Sequence, residues 1–251
     1  MSSNTESLQR KQFNRIIAEY EQHYDDPPSQ EYRSRFWYDP LFEGVDLQGK
    51  SVLEAMCGSG QASDYLQARE ARVTGLDIAE LAVHRFEHRW PHASGLCASL
   101  IDAPIGDGSF DCVVVVAGLH HLHPFTDQAI DEIYRILKPG GSFFFVEAYA
   151  GSLIDQARSL WYSRDRRYFM ENEAGIQLDQ MKRDNAHRFD FISEKYGGNI
   201  AYYLVFQSLI LRIPIGLKPL YAPGMLWLEG LITPLQTKRW SSFVLGHWRK
   251  R

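Results

Sequence analysis

The sequence predicts an α/β fold of the doubly wound kind, a mostly parallel sheet with helices on both faces. Three observations carry this. Short apolar runs alternate with helical patterns from about residue 50 to residue 147. The run Val113-Val114-Val115-Val116 lacks in–out alternation, as a strand buried on both faces does. Glycines follow the first run and an acid ends the second, at the strand ends where such sheets hold ligands.

The 251 residues suffice for one large α/β domain with an insertion, or for a domain plus a small accessory piece. With 45% hydrophobic and 23% charged side chains, the chain has the composition of a protein that buries a core. A formal net charge of −4 gives no global attraction to nucleic acid or an anionic membrane and leaves room for a local basic patch. The cysteines Cys57, Cys97 and Cys112 are odd in number, fit no zinc spacing and lie in or beside apolar runs. They read as buried free thiols in a reducing compartment, with no metal site. The segment from Met1 to Arg15 lacks the apolar core of a signal peptide, and no run of 18 apolar residues occurs. The expected localisation is cytoplasmic, with no transmembrane segment.

The elements follow in order. Residues 1–48 read as a helical cap: Phe13, Ile16, Ile17 and Tyr20 recur at helical spacing over Gln9–Tyr24, and Pro27 and Pro28 break that helix. An aromatic-rich segment, Tyr32–Phe42, leads to the turn near Gly44 and Gly49. Residues 49–150 read as the core. Its expected strands are Ser51–Met56, Arg72–Leu76, Ser94–Ala98, Asp111–Val116 and Ser142–Glu147. Its expected helices are Gln61–Arg69, Ala79–Arg89 and Gln128–Leu137, and Lys138-Pro139-Gly140-Gly141 is a turn. Residues 151–251 complete the sheet. Helices are expected over Ser152–Asp165 and Asn172–Asp184, and strands over Arg188–Tyr196 and Trp240–Trp248. Between those strands, residues 199–238 read as an apolar helical insertion broken by Pro214, Pro219, Pro223 and Pro234.

The segment Val52-Leu53-Glu54-Ala55-Met56-Cys57-Gly58-Ser59-Gly60 puts an acid at the end of a buried strand, then small residues in a tight turn. Bare backbone there lets a ligand approach amides of the following helix, and a carboxylate can hold a cation. A plain strand-to-helix turn has the same outline. Asp77, at the end of the second strand, can accept hydrogen bonds from two ribose hydroxyls, and it can equally cap the helix from Ala79.

Five motifs in order make the chain resemble class I S-adenosylmethionine-dependent methyltransferases, near the type 11 group. They are Glu54-Ala55-Met56-Cys57-Gly58-Ser59-Gly60, Leu76-Asp77-Ile78, Gly108-Ser109-Phe110-Asp111, Gly118-Leu119-His120-His121-Leu122 and Arg135-Ile136-Leu137-Lys138-Pro139-Gly140-Gly141. The resemblance implies a Rossmann-like, seven-stranded, mostly parallel sheet whose last strand is antiparallel. It implies that Glu54, Met56 and the backbone of Cys57, Gly58 and Gly60 hold the methionine end of S-adenosyl-L-methionine. Asp77 would take the ribose, Ile78, Ser99 and Leu100 the adenine, and Ala117 and Gly118 would approach from the fourth strand. Two positions depart from the pattern. Met56 stands where the family has Gly, so its backbone is expected to avoid positive φ. Ser99 stands where the family has Asp, and Asp102 substitutes only if the loop shifts. Cofactor binding is expected to be retained and weaker.

A sulfonium methyl is already electrophilic, so the protein must align the acceptor and, for a hydroxyl, remove its proton. His120 and His121 follow the fourth strand and suit that task, although they can also merely order the loop. His123, before Pro124, reads as structural. The aromatic residues Tyr20, Tyr24, Tyr32, Phe36, Trp37 and Tyr38 either shield the sulfonium or pack on the sheet. Arg158, Arg164, Arg166, Arg167, Lys182 and Arg183 either meet an anionic acceptor or form a solvated face. The insertion admits four readings: a lid over an apolar acceptor, a homodimer interface, a patch on a membrane surface, or ordinary packing.

The expected activity is methyl transfer to a small-molecule acceptor, O-methylation of a lipid-like, isoprenoid or glycan compound, with no nucleic acid as partner. A non-catalytic cofactor-binding module is the alternative. An NAD(P)-dependent oxidoreductase fits less well, because Ser63 stands where the dinucleotide fingerprint needs its last glycine.

Overall fold

The computed structural model describes residues 10–11, 14, 20–156 and 174–251. Phe13, Ile16 and Ile17 of the first expected helix, and Arg158, Arg164, Arg166 and Arg167 of the basic stretch, lie outside the described residues. Residues 20–24 are helical. That helix ends ahead of Pro27-Pro28, as expected, and the pair has a second part as well. Asp26 accepts a hydrogen bond from the Ser29 amide, and the prolines open helix α1 (Pro27–Arg33). At the first helical positions a missing N–H costs nothing, so prolines start a helix there.

From α1 the chain passes through a π turn at Ser34–Tyr38 to the strand β1 (Ser51–Ala55). Then follow α2 (Ser63–Gln67), β2 (Arg72–Asp77), α3 (Glu80–Arg89), β3 (Ser94–Cys97) and β4 (Phe110–Val116). Next come α4 (Thr126–Ile136), β5 (Leu137–Ala148), α5 (Leu178–Asn185) and β6 (Phe189–Gly197). Helices α6 (Ile200–Leu204) and α7 (Lys218–Ile232) lead to β7 (Phe243–Lys250). The turn expected at Lys138–Gly141 lies inside the span of β5. Phe110 pairs with Leu137 but Cys112 with Ser142, so the intervening residues bulge from the ladder, with Gly140 at φ +73°.

The seven strands form one sheet in the order β3-β2-β1-β4-β5-β7-β6. Strand β7 runs antiparallel to both β5 and β6, and the other pairings are parallel. This is the Rossmann-like arrangement expected. Order reverses at β1, which has β2 on one side and β4 on the other, and that is where an open α/β sheet has its ligand crevice.

Side chains of alternate parity divide the core. Leu53, Val113, Val115, Phe143 and Phe145 face α4, α5 and Trp248. Val52, Val114, Phe144 and Leu245 face the amino-terminal segment together with α6 and α7. The amino-terminal aromatics are therefore packed. Tyr24, Tyr32 and Trp37 all meet the ring of Phe206, and Phe42 meets Phe144. Lys182 ion-pairs with Glu194 and lies over Phe191, and Arg183 donates to Gln180, so these cations support α5 and β6.

Cys57 and Cys112 are buried free thiols, whereas Cys97 is exposed. Cys97 ends β3, which is the edge strand of the sheet among the described residues. No described helix is long and apolar enough to cross a membrane.

The β5–β7 pair sets a packing limit at Gly246, which is opposite Phe145. A Cβ added at Gly246 would enter the Phe145 ring. Gly246→Ala should lower unfolding stability by about 1–3 kcal/mol through overpacking. An unchanged denaturant midpoint would show that the ring has room to move.

Candidate active site

The turn after β1 is held from both sides by buried carboxylates. Glu54 accepts from the Ala62 amide at 3.0 Å and from the Ser63 hydroxyl, which fixes the start of α2. Asp77 accepts from the Gly58 amide at 2.9 Å and from the Ala79 amide at 2.8 Å. Both readings of Asp77 thus meet in one side chain, which caps the approach to α3 and grips the glycine turn. The Cys57 amide donates to the Leu76 carbonyl at 3.0 Å, so the chain stays joined to β2 two residues past the end of β1.

Met56 departs from expectation: its φ is +57°, in the left-handed region it was expected to avoid. Such a backbone costs a non-glycine residue roughly 1–3 kcal/mol and needs surrounding support. That support is visible. The amide beyond it is tied to Leu76, and its sulfur lies 2.9 Å from where a Cβ on Gly118 would be. Gly118 therefore has to be bare. Ala117, at the end of the neighbouring β4, has φ +52°, and its amide donates to Val146 at 2.7 Å. Adjacent strands end in the same kink.

The carboxyl end of β5 supplies a residue that the sequence reading passed over. Glu147 is fully buried and accepts from the amides of Gly118 at 2.7 Å and Leu119 at 2.6 Å. Its other oxygen meets His120 Nδ1 at 2.9 Å. The signal was available: Glu147 ends the run Phe143-Phe144-Phe145-Val146 as Glu54 ends Val52-Leu53. His121 stacks obliquely on His120, with ring centroids 4.0 Å apart, and lies near enough to Asp77 to favour its ionised form. The two histidines thus link the β4–β5 side of the crevice to the β2 side.

Other expected residues surround this centre. Ile78 is half-buried after β2, and Ser99 precedes the 3-10 turn Leu100–Asp102, in which Leu100 is buried. Asp102 is exposed, and its amide bonds back to the Ser99 carbonyl at 3.4 Å. Two residues outside the motifs steady the turn from above. Arg33 donates to the Gln61 side chain at 2.7 Å, and the Tyr38 hydroxyl donates to the Gln61 carbonyl at 3.3 Å. Gly60, at φ +83°, leaves space for the rings of Phe86 and Trp90.

Burial pushes the Glu54 carboxyl up to about 7, against the opposing pull of Ser63, the Ala62 amide and the charge of Arg33. Burial also raises Asp77, opposed by the Ala79 and Gly58 amides and by His121. For Glu54 the folded value exceeds that of a free carboxyl near 4.5, so the folded state holds the proton more tightly. Its contribution to stability is complete below about pH 4.5 and is lost as pH rises through about 7. Glu54→Gln cannot ionise, so the gap between wild type and variant should move against wild type over that window. Urea unfolding of both at pH 5 and pH 7.5 measures it, and a constant difference would refute the assigned burial.

Residues 53–145 match the family described as "Methyltransferase domain". An uncharacterized methyltransferase of Synechocystis sp. is 37% identical over 119 residues, covering 47% of this chain and 56% of that protein. A fatty-acid O-methyltransferase of Mycolicibacterium smegmatis is 36% identical over 108 residues, covering 41% of this chain and 39% of that protein. The chain thus spans roughly half or less of these relatives' length. Among solved structures, the N-methyltransferase NodS of Bradyrhizobium japonicum, in complex with S-adenosyl-L-homocysteine, superposes with a TM-score of 0.54 at 17% identity. That superposition covers 90% of this chain and 89% of NodS and shows the shared fold. The domain match and the strand order agree: residues 53–145 are a methyltransferase domain, set in a Rossmann-like sheet of the class I S-adenosylmethionine-dependent kind.

Proposed function

We propose that this chain methylates an oxygen atom of a small lipid-like, isoprenoid or glycan acceptor, at the carboxyl ends of β1, β2, β4 and β5. The observation that carries the reading is the His120–Glu147 pair beside the kinked end of β4. An imidazole whose Nδ1–H donates to a buried carboxylate keeps its basic lone pair on Nε2. It is also held in one orientation and gains stability when protonated. His120 is thereby assigned to take the acceptor's proton. His121, between His120 and Asp77, is assigned to position the acceptor or to share that task.

The residues present fit the cofactor. Asp77 commits one lone pair of each oxygen to the turn, so each oxygen retains a further acceptor position, one for each hydroxyl of a ribose. Glu54 is spent on the turn and acts behind it, as a buried acid that supports the backbone of Cys57, Gly58 and Gly60 around the methionine end. Met56 and Gly118 meet beneath the reacting region, with Ala117 beside them. Ile78, Ser99 and Leu100 are assigned to the adenine. When bound, S-adenosylmethionine supplies a methyl group that needs no further activation. The chain's own work is alignment, exclusion of water and removal of one proton. Similarity to the mycobacterial fatty-acid O-methyltransferase supports an apolar acceptor.

Titration calorimetry with S-adenosylmethionine and S-adenosylhomocysteine tests the cofactor site. Asp77→Ala should weaken both by about 1.5–3 kcal/mol, the worth of charge-assisted hydrogen bonds. Unchanged affinity would remove Asp77 from the site. His120→Ala should lower kcat by about 10²–10⁴-fold, the usual range for a lost general base, and leave cofactor affinity intact. Glu147→Gln should shift the pH profile of kcat, which a purely structural role for Glu147 would not do. Mass spectrometry of a lipid and metabolite extract incubated with isotopically labelled cofactor names the acceptor. Label found solely on RNA or on protein side chains would overturn the acceptor class, and binding without turnover would favour a cofactor-binding module.

A further inference from the structure

Helix α7 is inside out. Its two charged side chains, Lys218 and Glu229, are each 0% exposed, whereas Leu220 is 81%, Trp227 64% and Leu231 53% exposed. Leu217, just before the helix, is 48% exposed. At 100° per residue these four apolar side chains fall within about a quarter of a turn. The stripe then continues to Leu235, which is 80% exposed.

The inversion is locked by long-range partners. Lys218 donates to Asp26, to the His23 carbonyl at 2.6 Å and to the Ser29 hydroxyl at 2.8 Å. Glu229 accepts from the amides of Asn199 at 2.8 Å and Ala201 at 2.9 Å, and from the Tyr32 hydroxyl at 3.1 Å. The helix cannot roll its leucines inward without stripping a buried cation and a buried acid of their partners. Such a loss is far costlier than an exposed leucine.

We infer that this stripe is a docking face for a bilayer surface containing anionic phospholipid. Charge complementarity selects that occupant. Glu229 is the sole carboxylate side chain from residue 199 to residue 251, and it is buried. Arg212 is exposed before the stripe, and Lys238 and Arg239 follow it, with Lys238 also paired to Asp179. In a chain of formal net charge −4, the stripe's own side chains are uncharged, and the basic residues Arg212, Lys238 and Arg239 bracket it along the sequence. Apolar side chains can enter the acyl boundary while the cations meet phosphates. Trp227 and Trp240, 64% and 56% exposed, are side chains suited to the headgroup level. With 15 residues, α7 lies on such a surface and does not span it. A second copy set stripe to stripe in antiparallel fashion would bring cationic ends together, which disfavours a dimer here.

The test needs neither cofactor nor methyl acceptor, so its failure is separable from that of the proposed activity. Purified full-length chain is co-sedimented with phosphatidylcholine vesicles and with vesicles carrying 30% phosphatidylglycerol. Binding to the anionic vesicles should be at least about tenfold tighter and should weaken severalfold in 0.5 M NaCl. Leu220→Glu/Leu231→Glu should lower it by tenfold or more, with circular dichroism and unfolding midpoint unchanged, because both positions face solvent. Arg212→Gln/Arg239→Gln should reduce binding to the anionic vesicles alone. Absence of binding to both vesicles, or wild-type binding by the leucine variant, would overturn the inference. So would a concentration-dependent dimer that the leucine variant abolishes while vesicles bind nothing.

Discussion

A carboxylate buried at the end of a parallel strand must find hydrogen-bond donors, because leaving it bare in an apolar core costs several kcal/mol. In this protein the nearest donors are the amides of the turn that follows, or of the turn on the next strand. Glu54 takes Ala62, Asp77 takes Gly58 and Ala79, and Glu147 takes Gly118 and Leu119. Each loop at the functional edge is thereby anchored to the sheet through an acid that could not otherwise be buried. The shape of the crevice at this sheet edge and the acids in its walls have one origin.

The same anchoring explains how left-handed backbone is tolerated at Met56 and Ala117. Both residues are the first beyond a strand, and each is followed or accompanied by an amide still bonded to the adjacent strand. The kinks turn the chain sharply away from the sheet edge, which opens the crevice between β1 and β4 and brings the Met56 side chain against bare Gly118. Glycine at position 56 would make the turn with less backbone strain, but it would leave that contact empty. The chain has exchanged one form of local ease for another.

On the face opposite α4 and α5, the amino-terminal segment and the 199–238 insertion behave as one layer. Rings from both interleave around Phe206, and buried polar bonds from Lys218 and Glu229 cross between segments nearly 200 residues apart. Arg33 and Tyr38 carry this layer down to Gln61 beside the glycine turn. The glycine turn and the outer helix are consequently joined through a continuous set of packed side chains. The insertion is thus a second wall of the domain.

Strand and helix positions in the core were legible in the sequence because they rest on local periodicity and on turn chemistry at glycines and prolines. The places of Glu54, Asp77, His120 and His121 at the carboxyl ends of strands were legible as well, since each follows an apolar run. What escaped depended on partners remote in the chain. The exposure of Cys97 follows from β3 being an edge, and the role of Glu147 follows from β4 and β5 being neighbours. The sequence left the apolar residues of α7 open between packing and an outer surface, because apolar spacing cannot say which face carries the buried charges. Amino-acid pattern by itself determined the fold class and which acids and histidines stand at strand ends. Tertiary structure alone decided which face each helix turns to water and which carboxylate serves which turn, because those choices depend on hydrogen-bond partners that only folding brings together.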